Sequence, residues 1–316
     1  MLVGLNQELL MSWISRREFV AGGSMAAAFA LMQSKTAFAA ASNPAIGLQL
    51  YSVRSLLPKD FAGTLQMVAA AGFRNVEAAG FYDHSAADVK QMMATAGLNC
   101  VSAHYPLATL IKTEDDTIEY AKTLGLKYVI CSSPTVADPS RFANAPGGAW
   151  QAMHNGMTAD DWKWNAEQFD RIGKKVKAAG MQFGYHNHTM EFHKVGDTIG
   201  LEILLKETDP SVVTFEMDCA WVVAGGGNPV ELMSKYPTRF SLLHIKDLKP
   251  ADPNEPEKRT STELGHGVID FKPIIAEARK IGISYAIVEQ EDFDMPIPEA
   301  LKIDFDFMKA AGLRTS

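Results

Sequence analysis

The sequence predicts an α/β chain closed into a single (β/α)8 TIM barrel, and three observations predict it. Short apolar stretches alternate with amphipathic, helix-length ones eight times along the chain, the pattern of parallel strands joined by helical crossovers. The strands read as almost wholly apolar, which suits a sheet covered on both faces. Ionisable residues gather at the C-terminal ends of those strands, where barrels of this kind carry their chemistry. An open doubly wound sheet is the rival. It lacks its fingerprint here, because Ser52-Val53-Arg54-Ser55 after the first strand offers no glycine-rich phosphate cradle.

The elements follow in order. Ala45–Tyr51 is apolar and extended. Asp60 caps a helix with Phe61, Leu65 and Val68 on its inner face and Gly72 as its stop. Asn75–Ala79 is the second strand, Ala86–Thr95 the second helix and Leu98–His104 the third strand. Glu114–Leu124 is a helix ended by Gly125, and Lys127–Ser132 the fourth strand. From Pro134 to Asp160 the Pro, Gly, Asn and Trp residues show no period, so this stretch reads as a long functional or mobile loop. A helix over Asp161–Ala179 leads to the fifth strand, Met181–His186. Thr198–Thr208 is helical, Ser211–Met217 the sixth strand, Pro229–Tyr236 a weak helix and Phe240–Lys246 the seventh strand. Leu248–Thr262 is a charged loop. Phe271–Lys280, Ser284–Glu289 and Pro298–Lys309 complete the last helix, strand and helix.

Residues 1–39 stand apart from the barrel, which is expected over 40–316. Ser15-Arg16-Arg17-Glu18-Phe19 is a twin-arginine pattern, an Ala-rich apolar run follows to Met32, and Ala37-Phe38-Ala39 offers a small-residue cleavage site. The expectation is a twin-arginine signal peptide and a periplasmic protein with no membrane anchor after processing. A net charge of −7 argues against a nucleic-acid partner. The three cysteines, Cys100, Cys131 and Cys219, show no metal-type or redox-type spacing and read as small buried residues. A Cys100–Cys131 bridge stays open, and so does the oligomeric state, a homodimer included.

The fifth strand ends in Tyr185-His186-Asn187-His188, and alternation points both histidines to one side. Gln49, Glu77, His104, Glu216, Asp218, His244, Lys246, Glu289 and Glu291 occupy the ends of other strands. So many buried ionisable groups are costly unless they pair or hold a cation. His186, Asp218, His244 and Glu289, one from each of strands five to eight, make a mixed nitrogen and oxygen shell for one divalent metal. Such a shell suits Mn²⁺, Co²⁺, Fe²⁺ or Zn²⁺ better than Ca²⁺ or Mg²⁺.

These motifs resemble the sugar isomerase/epimerase group with the xylose-isomerase-like barrel. The resemblance runs from about Ile46 to Leu313. It rests on Gly47-Leu48-Gln49-Leu50-Tyr51-Ser52, Asn75-Val76-Glu77, Ser102-Ala103-His104, Tyr185-His186-Asn187-His188, Met217-Asp218, His244-Ile245-Lys246-Asp247 and Val288-Glu289-Gln290, in that order. It implies a small carbohydrate substrate, one divalent cation, most often Mn²⁺, and catalysis at a carbon next to a carbonyl. Two positions depart from the group's epimerases: His186 stands where they place Glu, and Trp221 where many carry His. The His-Asn-His variant is similar to the inosose dehydratase and keto-glycoside-processing branches, which raises elimination as the alternative to isomerisation or epimerisation.

On this chemistry Glu289 is the expected proton acceptor. Lys246 either steadies a developing oxyanion or pairs with Asp247 or Glu216. His104 and His188 are candidates for the second proton transfer. Glu77, Trp221 and His266 are assigned to the substrate. His266 lies in Leu264-Gly265-His266-Gly267, which reads equally as a glycine-rich turn. Trp150 is a platform for a sugar ring, and Trp162 and Trp164 divide between that role and helix packing.

Overall fold

A computed structural model describes residues 43–251 and 259–315. The expected signal peptide at 1–39 therefore lies outside the described residues. Eight parallel strands close into a barrel in strict chain order. They are β1 (Ala45–Gln49), β2 (Asn75–Ala78), β3 (Asn99–Pro106), β4 (Tyr128–Ser133), β5 (Gln182–His186), β6 (Val213–Asp218), β7 (Phe240–Ile245) and β8 (Tyr285–Val288). The ring shuts through β1 on β8, with Ala45 opposite Tyr285 and Leu48 opposite Val288.

The crossovers are α1 (Phe61–Ala71), α2 (Ala86–Ala96), α3 (Glu114–Leu124), α4 (Ala159–Ala178), α5 (Gly200–Glu207), α6 (Pro229–Lys235), α7 (Phe271–Ile281) and α8 (Ile297–Ala310). Five of the eight begin at a side-chain cap, from Asp60, Ser85, Thr158, Asn228 and Asp270. Asp60 accepts from the Gly63 N–H at the head of α1. Thr158 and Asp161 form a reciprocal capping box at the head of α4, so that helix begins two residues before the expected Asp161. Among the described residues no helix is long and apolar enough to cross a membrane.

Alternation divides the side chains of each strand between two cores. One faces the helices and is the larger. The other fills the barrel's lower interior with Ala45, Val101, Tyr128, Ile130, Leu242, Tyr285 and Ile287. Gly184 belongs to that interior. A Cβ there would come within 2.7 Å of Ile130 Cδ1, so the filled floor leaves no room for a side chain. Above this apolar floor the inward positions turn polar, and the site begins.

Several local expectations are corrected. The first strand stops at Gln49, and Leu50–Val53 turns in a 3₁₀ helix because the Gln49 side chain accepts from the Tyr51 N–H. The long segment after β4 is partly helical, over Pro139–Phe142 and Ala149–Gly156. A short helix, Cys219–Ala224, follows β6 directly. Trp162 is a core residue of α4, packed where Gly200 leaves space, whereas Trp150 is half exposed. All three cysteines are free, Cys100 and Cys131 included.

Candidate active site

The inward residues above the apolar floor lie in two layers, which strand register defines. His186 pairs with Glu216 across β5 and β6, whereas Asp218 pairs with His244 across β6 and β7. His186 is therefore level with Glu216, a layer below Asp218. A register shift between Phe215 and Glu216 in the β6–β7 pairing brings His244, rather than Leu243, opposite Asp218.

The lower layer is a buried acid–imidazole network. Glu77 and Glu216 are fully buried. His104 Nε2 lies 2.8 Å from Glu77 Oε1 and 2.7 Å from Glu216 Oε2. His244 Nε2 lies 2.7 Å from Glu77 Oε1 and 3.3 Å from Glu216 Oε2. His186 Nδ1 is 3.1 Å from Glu216 Oε2, and Gln49 Nε2 donates to Glu77 Oε1 at 2.8 Å. Burial alone raises a carboxyl pKa, yet His104 and His244 override it and hold Glu77 well below the usual range. Glu216 goes the other way, to about 7, because burial and the neighbouring Glu77 charge outweigh the imidazoles. Burial would lower His104, but Glu77 and Glu216 lift it to about 9. His186 is held well below the normal histidine range by burial and by His244 and His104.

In the upper layer Glu289 lines the cavity, and Asp218, His244 and Lys246 are buried behind it. Asp218 caps the helix Cys219–Ala224, and its Oδ1 accepts from the Trp221 N–H at 2.9 Å. Asn187 fixes the strand end by accepting from the Asp218 N–H at 3.1 Å. With Oδ1 committed to the cap, Asp218 Oδ2 is buried without a hydrogen-bond partner, and so is His244 Nδ1. These two atoms lie 3.9 Å apart, and Glu289 Oε2 is 3.4 Å from His244 Nδ1. Lys246 Nζ stands 2.6 Å from Glu289 Oε2, 3.3 Å from Asp218 Oδ2 and 2.7 Å from Glu291 Oε1, and 4.4 Å from the centre of the Trp221 ring. Burial would depress the lysine, but Asp218, Glu289 and Glu291 keep it above its usual range and fully charged. Burial would raise Glu289, and Lys246 and His244 hold it well below.

Two sets of side chains offer converging donor atoms within 4.8 Å of one another: Asp218, His244 and Glu289 above, and His104, His186, Glu216 and His244 below. Donors at roughly 2.0–2.2 Å from one ion, at about 90–110° to each other, stand roughly 2.9–3.5 Å apart. In the lower set His104 is hydrogen-bonded to Glu216 at 2.7 Å, and His186 and His244 stand 3.1 and 3.3 Å from the same oxygen. In the upper set Glu289 Oε2 is 3.4 Å from His244 Nδ1, inside that range, and Asp218 Oδ2 is 3.9 Å from it, just beyond. Neither Asp218 Oδ2 nor His244 Nδ1 has a hydrogen-bond partner, and the cation beside Asp218 Oδ2 is the Lys246 ammonium, at 3.3 Å. Asp218, His244 and Glu289, three of the four expected ligands, fall in one set, and His186 falls in the other, which shares His244.

A cavity of about 340 Å³ opens above this layer. Glu289 and Glu291 line one wall, and His186 and His188 line another, three strands away around the ring. Tyr51, Trp150 and Trp221 add aromatic surface, and His104 lies at the base. The His188 backbone N–H donates to Glu191 Oε2 at 2.9 Å, while Glu191 Oε1 accepts from the Tyr185 hydroxyl. His188 Nδ1 has no hydrogen-bond partner, and burial together with Lys246 lowers its pKa to about 3.

Two substrate assignments are corrected. Glu77 is sealed beneath His104 and His244 and does not line the cavity. His266 is also absent from the lining; its ring lies 4.0 Å from the Glu263 carboxylate and its N–H donates to the Glu263 carbonyl at 3.0 Å. Its turn wraps the buried Asp247 carboxylate, which accepts from the N–H groups of Leu248, Gly265, Gly267 and Ile269. Lys246 pairs with neither Asp247 nor Glu216 but with Asp218, Glu289 and Glu291. Glu216 and Glu291 were visible as strand-end acids; what they touch needed the register.

Residues 65–311 match the family model described as the xylose isomerase-like TIM barrel. The chain belongs to that family. It is similar to inosose dehydratase of Lacticaseibacillus casei, 24% identical over 255 residues that cover 73% of this chain and 82% of the relative. Among solved structures it is similar to a sugar phosphate isomerase/epimerase from Parabacteroides distasonis, with a TM-score of 0.69 and 28% identity over 86% of this chain and 96% of that one. An IOLI protein solved with a zinc atom shares the fold at a TM-score of 0.64 and 15% identity, over 84% and 97% of the two chains.

Proposed function

We propose that this family member is a divalent-cation-dependent sugar isomerase or epimerase that removes a proton from the carbon beside a carbonyl of a sugar or keto-sugar. The observation that carries the proposal is the convergence of Asp218, His244 and Glu289 behind the cavity wall that Glu289 lines, with Asp218 Oδ2 and His244 Nδ1 lacking hydrogen-bond partners and 3.9 Å apart. Asp218, His244 and Glu289 would hold the cation, with Mn²⁺ the first expectation and Co²⁺, Fe²⁺ or Zn²⁺ compatible with the same donors. Such an ion, when bound, polarises a carbonyl as a Lewis acid.

The chain's own groups supply the proton traffic. Glu289 is ionised and faces the cavity, which suits it to accept the proton. His188, neutral and with a free Nδ1, and His104, protonated and with its ring at the cavity base, stand on the far side for the second transfer. The Lys246 ammonium steadies negative charge developing on a substrate oxygen. Trp221 and Trp150 offer faces to a sugar ring.

A second reading is β-elimination, a dehydratase or lyase acting on an inosose or a 3-keto-glycoside. It is favoured by the curated relatives' name, inosose dehydratase. Acid and base groups on opposite walls serve either outcome. NMR in D₂O with Mn²⁺, on keto-sugars and 3-keto-glycosides, tests both. Deuterium at the carbon beside the carbonyl with no fragment released supports isomerisation or epimerisation. Release of water or an aglycone supports elimination. No exchange with any of them, in protein that has bound Mn²⁺, overturns the shared chemistry.

We also propose that residues 1–39 direct twin-arginine export to the periplasm, on the motif order described above. N-terminal sequencing of protein recovered from the periplasm tests it, with a start near residue 40 expected.

A further inference from the structure

Lys246 and the proposed cation compete for the same atoms. The lysine is 1% exposed, and its ammonium lies 2.6 Å from Glu289 Oε2 and 3.3 Å from Asp218 Oδ2. Those are two of the three donor atoms of the upper layer. A dication on these carboxylates and an ammonium at that range repel each other, most strongly in a buried pocket where screening is weak. The ion therefore binds more tightly when the ammonium withdraws.

There is a place to withdraw to. Glu291 lies two residues beyond Glu289, past the end of the strand, lines the cavity, and already accepts from Lys246 Nζ at 2.7 Å. Its side chain is 27% exposed, against 8% for Glu289. The Trp221 ring, 4.4 Å from Nζ and also in the cavity lining, offers a second cation-stabilising surface. A lysine stem is long and flexible enough to shift its head between these partners without moving the backbone.

We propose that Lys246 is the resident cation of the Asp218–Glu289 pair, and that a divalent ion loads by exchange, the ammonium retreating to Glu291 and Trp221. The proposal rests on the cation reading of the site given above. On this account the protein never presents bare buried carboxylates, and its metal affinity is set by a residue that is not itself a ligand.

The test is calorimetric titration of Mn²⁺ into the full chain, the Lys246→Met variant and the Glu291→Gln variant, with circular dichroism as a check on folding. Removing the competing charge in Lys246→Met should tighten Mn²⁺ binding by at least about tenfold. Removing the retreat in Glu291→Gln should weaken it by about fivefold or more, although Glu291 is outside the donor group. Unchanged or weaker binding in a folded Lys246→Met protein overturns the exchange. If Lys246→Met does not fold, Glu291→Gln decides, and unchanged affinity there overturns it. A protein that loads Mn²⁺ by exchange yet labels no keto-sugar in D₂O would overturn the proposed function and leave the exchange standing.

Discussion

Replacing Asp247 by Asn separates a structural carboxylate from a merely polar one. Asp247 is fully buried. Its Oδ2 accepts from the N–H groups of Gly265 and Gly267 at 3.0 and 2.9 Å, and its Oδ1 from those of Leu248 and Ile269 at 2.9 and 3.1 Å. Each oxygen thus serves two donors. Whichever way an amide is turned, its NH₂ group faces one pair of N–H groups, so rotation cannot rescue the substitution. Hydrogen bonds to a charged acceptor contribute roughly 1.5–3 kcal/mol each, so losing two costs roughly 3–6 kcal/mol. For a domain of this size each kcal/mol moves the melting point by roughly 2–4 °C, which gives a fall on the order of 10 °C or more. Thermal unfolding followed by circular dichroism measures it, and hydrogen exchange at 263–269 should rise in parallel. A variant that melts within about 2 °C of the parent, with those amides still protected, would refute the argument that this turn is built on the carboxylate.

Three further outcomes are expected. Asp304 is buried with its Oδ2 unpartnered, and burial raises its pKa from 3.8 to about 7. The unfolded chain therefore releases this proton first, so stability is lost as pH rises from about 4 to about 7. Asp304→Asn should gain on the parent by up to about 4 kcal/mol between pH 4 and pH 8 in urea titrations; a gap that stays constant with pH removes the effect. Gly173→Ala in α4 places a Cβ 2.7 Å from the Val212 carbonyl oxygen; overpacking of roughly 1–3 kcal/mol should exceed a helix-propensity gain of about 1 kcal/mol, and an equal or higher melting point would show that α4 shifts freely. Asp218→Asn should weaken Mn²⁺ binding by at least about tenfold in calorimetry while the fold is kept, because its Oδ1 can still cap the following helix; unchanged affinity would take Asp218 out of the donor set.

The barrel was legible because its signals are local. Apolar runs, caps such as Asp60 and stops such as Gly72 and Gly125 act within a few residues, and every strand lies within three residues of its expected ends. The list of strand-end polar residues was legible for the same reason. Their depth was not. His186 and Asp218 look alike as strand-end ligands, and only the register between β5, β6 and β7 puts one below the other. His266 is assigned to the substrate by its segment's place near the barrel mouth, but the glycine-rich turn is the reading that holds, and its glycines allow the close approach to Asp247: a Cβ at Gly267 would collide with that carboxylate. The helix at Cys219–Ala224 is hard to read from sequence because its cap, Asp218, is a strand-end carboxylate that reads equally as a metal ligand; its Oδ1 makes the cap and its Oδ2 is left out of it.

His244 has a consequence beyond the site it serves. Its Nε2 is anchored among the acids below and its Nδ1 looks upward to Asp218 and Glu289. A five-membered ring is rigid, so neither edge can turn without carrying the other. Homologues that change an acid in the floor should therefore show compensating changes at the rim, the two storeys drifting through evolution as one unit with this imidazole as the stair between them.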